Sequence, residues 1–237
     1  MENPAKVIYR KIKYSIFTTP ELETVKYHKK RQGDVLRNYL ASNSIKCLQI
    51  GAQNHPIHNW LNVDIRPRST QVMYMDATKK FPIDDGVFDF VFSEHMIEHI
   101  GFNDGLFMLG ECHRILKKGG KIRISTPDLK FLISLYQEPK SGAQEKYIQF
   151  SKRYMRDLKV PITDTIVINN FFRDWGHQFI YDAKTLMAAL SSVGFMNITF
   201  PRVSESSSEH LRNLEKHGLE ITDEFNVLES IVVEAEK

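Results

Sequence analysis

The sequence predicts an α/β fold: a parallel sheet with helices on both faces. Three observations predict it. From residue 45 onward, short apolar runs alternate with helical segments, the arrangement of parallel strands joined by crossover helices. Runs such as Phe88-Asp89-Phe90-Val91-Phe92 have the near-continuous apolarity of a strand covered on both sides. Polar residues also recur just past the first four predicted strands, the edge where open parallel sheets bind ligands. With 237 residues, 42% of them hydrophobic and 26% charged, the chain reads as one domain over 1–237 with a full core, not as a disordered protein.

The elements follow in order. Residues 1–44 form a basic helical extension. Pro20-Glu21-Leu22-Glu23 opens a helix running to about Gln32; Gly33 interrupts it, and a second helix covers 34–41. Strands are predicted at 45–50, 60–65, 72–75, 88–92, 121–125, 195–200 and 230–235. The segment 104–116 has apolar residues at Leu106, Leu109, Cys112, Ile115 and Leu116, a helical period, and Lys117-Lys118-Gly119-Gly120 supplies its stop. Asp182 caps a helix to about Val193, which Gly194 ends. Only Ala52–Asn59, with Pro56 among them, separate the first two strands. A parallel crossover with a helix needs a dozen or more residues, so this one is shortened. The stretch 137–181 is too long for a plain connection and reads as a substrate-side insertion, amphipathic and helical first, aromatic later.

Composition excludes several classes. The net charge of +3 is too small for a nucleic-acid partner. It is unevenly spread, at +6 over 1–46, +2 over 47–190 and −5 over 191–237. No apolar run approaches the roughly 18–20 residues of a membrane span, and Met1-Glu2-Asn3-Pro4-Ala5-Lys6 lacks the pattern of a secretory signal. A cytoplasmic location is expected. Cys47 and Cys112 form no Cys-x-x-Cys pair and read as buried small hydrophobes, so neither a disulfide nor a thiolate metal site is expected. Oligomeric state has no signal here, since no long heptad pattern is present.

The rim residues suit a nucleoside ligand. Gly51 allows close approach to the backbone, with Ala52 and Gln53 following. Asp64 can accept from both ribose hydroxyls. Asp76 can accept from the adenine amine, with Ala77 leaving room beside the ring. Either acid could equally cap a turn. Taken together, Leu48-Gln49-Ile50-Gly51, Asn62-Val63-Asp64-Ile65, Met75-Asp76-Ala77, the run from Phe81 to Val91, Ile97-Glu98-His99 and Leu116-Lys117-Lys118-Gly119-Gly120 resemble the class I S-adenosylmethionine-dependent methyltransferases of the type 11 group. The resemblance is strong over 45–127 and weak over 182–237. It implies a Rossmann-like three-layer sandwich on a mostly parallel seven-stranded sheet with the last strand antiparallel. It also implies S-adenosyl-L-methionine as cofactor, held by Gly51, Ala52, Gln53, Asp64, Ile65, Asp76, Ala77 and Ser93. Gln49 stands where the family usually has an acid, and Gln53 where a second Gly is common. Loop carbonyls or the Gln53 side chain would then meet the cofactor's ammonium group. The shortened crossover, Leu211–Gly218 and Glu229–Ala235 are similar to a subgroup found beside glycan-building enzymes, which implies a sugar or glycan hydroxyl as methyl acceptor.

For such a transfer a His is the natural base near neutral pH. His177, His95 and Asp174 are the catalytic candidates. His177 and Asp174 lie among Phe171, Phe172, Trp175, Phe179 and Tyr181, whose rings could stack on a sugar or only anchor the insertion. Two other readings compete. His95-Met96-Ile97-Glu98-His99 matches the H-x-x-E-H pattern of zinc hydrolases, with His95 and His99 sharing a metal from one helical face; nothing else in the chain resembles those enzymes, and no metal is expected. The eroded first motif also fits a silent binding module. A lone Gly followed by Asp64 is a poor dinucleotide fingerprint.

Overall fold

In the computed structural model, residues 19–155 and 158–237 are described; the expectation for the start of the basic extension lies outside them. Helix α1 (Thr19–Ser42) runs without a break, so Gly33 does not interrupt it. A helical Gly costs about 1 kcal/mol relative to Ala, and tertiary contact outweighs that. Val35, Leu36, Tyr39 and Leu40 pack on the core, and the Tyr39 hydroxyl donates to the Cys47 carbonyl and accepts from its amide.

The strands are β1 (Cys47–Ile50), β2 (Leu61–Asp64), β3 (Val72–Tyr74), β4 (Phe88–Glu94), β5 (Leu116–Pro127), β6 (Met196–Thr199) and β7 (Ser230–Glu236). They form one seven-stranded sheet in the order β3-β2-β1-β4-β5-β7-β6. The pairs from β3 through β5 are parallel, and β7 runs antiparallel to both β5 and β6. Helix α2 (Phe102–Ile115) ends directly in β5, so Lys117-Lys118-Gly119-Gly120 begins a strand and is not a helix stop.

The two sheet faces differ. Alternate residues Leu48, Ile50, Leu61, Val63, Ile122, Ile124, Val233 and Ala235 face one core, which α1, α2 and α6 (Ala183–Ser192) cover. Asp182 caps α6 by accepting from the Thr185 amide, as expected. On the other face the first crossover is too short for a helix, and non-helical chain takes its place. Ile57, Trp60, Leu211 and Leu214 pack on Phe90 and Phe92. The buried Gln49 and Asn62 amides hold this 52–60 loop: Gln49 donates to the His55 carbonyl, and Asn62 to those of Ile57 and Trp60. Further along the same face, Arg123 is fully buried and donates to Glu215 (2.6 Å), Glu234 (2.5 Å) and the Glu205 carbonyl.

A second core lies past the carboxyl end of β5, which antiparallel pairing makes the amino end of β7 as well. It joins α3 (Leu129–Ser134), α4 (Gly142–Ser151), α5 (Asp164–Arg173) and α7 (Asp223–Glu229) through Phe131, Leu132, Tyr147, Val167, Phe171 and Phe225. The insertion and the C-terminal segment thus meet over the strand ends. No described helix is long and apolar enough to cross a membrane.

Candidate functional site

The β1 tip turns at Gly51, whose φ is +80°. The amides of Gly51 and Ala52 both donate to the Val63 carbonyl, which ties the turn to β2. A Cβ on Gly51 would lie 2.7 Å from Met96 Cγ, so the Met96 side chain occupies the close-approach space and sets the His95 turn beside this loop. Gly51→Ala is expected to cost about 1–3 kcal/mol, from the positive φ and the contact together; a thermal-denaturation comparison checks it.

Asp64 accepts from the Gln53 amide on one oxygen (3.0 Å) and the Arg66 amide on the other (2.7 Å). Each oxygen keeps a lone pair for a further donor. Ile65 beside it is 44% exposed, an apolar surface suited to a purine ring. On the next strand end, Asp76 holds the Thr78 amide and hydroxyl through one oxygen, and Ala77 is small and buried. Ser93, at the β4 end, is buried, and its Oγ has no hydrogen-bond partner among the described residues. These acceptor carboxylates, with the apolar Ile65 and the small Ala77, fit the hydroxyls, amine and ring of an adenosine moiety. Gln49 is no surrogate for the missing acid, because its amide is spent inside the 52–60 loop.

Past β4 the chain brings together four imidazoles. His95 follows the strand with φ +44°, and only Ile97–His99 form a short 3-10 turn. No helical face therefore aligns His95 with His99, and their rings join different groups, which speaks against the competing reading of a zinc ion shared by those two. His95 stacks on His217 with centroids 3.9 Å apart; its Nε2 lies 2.9 Å from Ser230 Oγ. His217 Nε2 donates to Glu229 (3.0 Å), whose other oxygen accepts from Tyr147. His99 instead meets His177 edge to face at 4.9 Å.

Glu98 sits between the two groups, fully buried. Its Oε2 accepts from Thr126 Oγ1 at 3.0 Å, while Oε1 has no hydrogen-bond partner; His95 Nδ1 stands 3.4 Å away. Burial works to raise the Glu98 pKa, but the imidazoles of His95, His99 and His177 outweigh it and hold the carboxyl at about 2. Burial also disfavours a charged His95, yet Glu98, Glu229 and Glu94 reverse that and raise its pKa. At His177 burial prevails and lowers it. His177 Nδ1 lies 2.8 Å from the Phe171 carbonyl, an acceptor only. Nδ1 therefore carries the proton, and Nε2 is left bare.

Of the aromatic residues in the insertion, Phe171 and Tyr181 are buried in separate cores, and Phe179 packs on that of Tyr181. Phe172 and Trp175 keep exposed faces, and Trp175 lies 5.6 Å from His177. Asp174 is exposed; its carboxylate accepts from the Trp175 amide and its carbonyl from the His177 amide. Sequence reasoning missed His217, Glu229, Tyr147 and Thr126. They come from three distant segments, and no local spacing marks them. Glu94 brings one of them in by accepting from the Lys216 and His217 amides.

Residues 28–124 match the family model described as a methyltransferase domain. No curated protein matches the chain. Solved structures that resemble it include a S-adenosylmethionine-dependent methyltransferase from Thermotoga maritima, a possible histamine N-methyltransferase (16% identity, 89% of this chain and 90% of that one, TM-score 0.48). Another is a S-adenosylmethionine-dependent methyltransferase from Archaeoglobus fulgidus (17% identity, 89% and 94%, TM-score 0.49).

Proposed function

We propose that the chain is an S-adenosylmethionine-dependent methyltransferase, which the methyltransferase-domain match over 28–124 supports, and that it methylates a hydroxyl of a sugar or glycan, as a cytoplasmic enzyme. Gly51, Ala52, Gln53, Asp64, Ile65, Asp76, Ala77 and Ser93 would hold the cofactor, which supplies an electrophilic methyl group. An alcohol oxygen must shed its proton as it is alkylated, so a positioned imidazole is useful. The observation that carries the reading is the imidazole cluster at the β4 tip, with His95 on the turn next to Met96 and Gly51. His95 takes the proton on Nε2 through the Ser230 hydroxyl 2.9 Å from it, and Glu98, facing Nδ1, stabilises the imidazolium that forms, as a buried acid does for a catalytic His. His177 faces the acceptor with its bare Nε2, beside the exposed ring of Trp175 on which a sugar's C–H face can stack; Asp174 flanks that ring.

Incubation with labelled S-adenosylmethionine and a panel of glycans, nucleotides and small alcohols, read by mass, tests the proposal. One glycan product is expected. Replacing His95 by Ala should lower turnover about 10²- to 10⁴-fold with cofactor affinity unchanged, and undiminished turnover would remove His95 from the mechanism. A second reading, a binding module without turnover, is favoured by Gln49, whose amide is consumed internally where the resemblance expects an acid. Tight cofactor binding with no product from any acceptor would support it.

A further inference from the structure

A fully buried carboxylate oxygen without a hydrogen bond of good geometry is costly, and Glu98 Oε1 is one among the described residues, with only His95 Nδ1 beside it at 3.4 Å. Ligating atoms of Glu98, His99 and His177 lie within 4.8 Å of one another. Around a tetrahedral zinc with bonds near 2.0–2.1 Å, ligand atoms are about 3.3 Å apart, so modest side-chain rotation brings the three to one ion. The His99 and His177 rings meet at 67°, which lets their in-plane lone pairs converge.

The outer contacts are those of a ligand set. His177 gives its Nδ1 proton to the Phe171 carbonyl, and Thr126 fixes the far oxygen of Glu98; such partners orient metal ligands. The two segments are also joined through their backbones. The amides of Gln178 and Phe179 donate to the Glu98 carbonyl, and the Gln178 side chain donates to that of His99. The neighbouring trio His95, His217 and Glu229 is less suited. Its imidazoles are stacked at 24°, so their lone pairs run side by side.

We infer that Glu98, His99 and His177 bind one divalent transition metal of the zinc type, although no metal was expected from the sequence. His99 and His177 are partly exposed, so three protein ligands leave a position open to solvent, as in catalytic metal sites. The purpose of the site rests on the methyl-transfer reading: with His177 Nε2 on the metal, that residue would meet the acceptor through the ion, and an acceptor hydroxyl in the open position would become more acidic and give up its proton more readily. Its existence does not rest on that reading.

The test uses the full chain, stripped with a chelator and titrated with Zn²⁺ in competition with a chromophoric chelator. About one equivalent should bind. His99→Ala and His177→Ala should each weaken binding about 100-fold or more, and His217→Ala should leave it within about threefold, with circular dichroism confirming that each variant is folded. Absence of saturable binding, binding that survives both substitutions, or loss in His217→Ala alone would overturn the assignment. The readout is blind to methyl transfer, so the two readings fail separately.

Discussion

Arg123→Ala is expected to destabilise the protein by about 3–5 kcal/mol, because removing one partner of a buried ion group leaves the others charged and unpaired. Arg123 is fully buried, and Glu215 and Glu234 are nearly so. Neither carboxylate can regain water without opening the packing of Leu211 and Leu214 on Phe92. The guanidinium also donates to the Glu205 carbonyl, and Glu215 accepts from the Ser204 amide. One side chain therefore ties the 201–216 segment to the sheet, and the next residues of that segment deliver His217 to the strand tips. Urea unfolding checks the prediction, and a change below about 1 kcal/mol would contradict it. Replacing all three charged residues by apolar ones of similar volume should recover much of the loss, since buried ion groups often break even against such replacements.

Asp64→Ala is expected to weaken cofactor binding by about 10- to 150-fold. That range corresponds to about 1.5–3 kcal/mol for hydrogen bonds to a charged acceptor. The carboxylate is half-buried at the β2 end, and each oxygen already accepts one backbone amide, so it is oriented before any ligand arrives. Part of the loss will come from the freed Gln53 and Arg66 amides. Asp64→Asn separates the two effects, because it keeps an acceptor oxygen while removing the charge. Calorimetry with the demethylated product of the cofactor measures both variants. An affinity for Asp64→Ala equal to that of the parent would place the ribose elsewhere.

The strands, α2 and α6 were legible in the sequence because their signals are local. Apolar runs bounded by Gly, Pro and Asp mark the strands, and Asp182 marks the start of α6. Gly33 misled for the opposite reason: its helix is held by contacts of Val35, Leu36, Tyr39 and Leu40 with a core built from residues further along the chain. His95 and His99 misled because a four-residue spacing means a shared face only on an α-helix, and the chain there makes a strand end and one 3-10 turn. Asp64, Asp76 and Ser93, the residues proposed to hold the cofactor, could be singled out in the sequence because each sits at or just past a strand end.

The sequence by itself determined the alternation of strands and helices, the short first crossover and the row of polar groups at the strand ends, all written within a few residues of each other. Only the tertiary structure decided which imidazole faces which. It set His217 against His95 and His177 against His99, and it buried Glu98 between them with one oxygen facing His95 alone. Those pairings join residues some 80 to 120 positions apart, and at that range packing and the closing of the insertion over the sheet, not local periodicity, choose the neighbours.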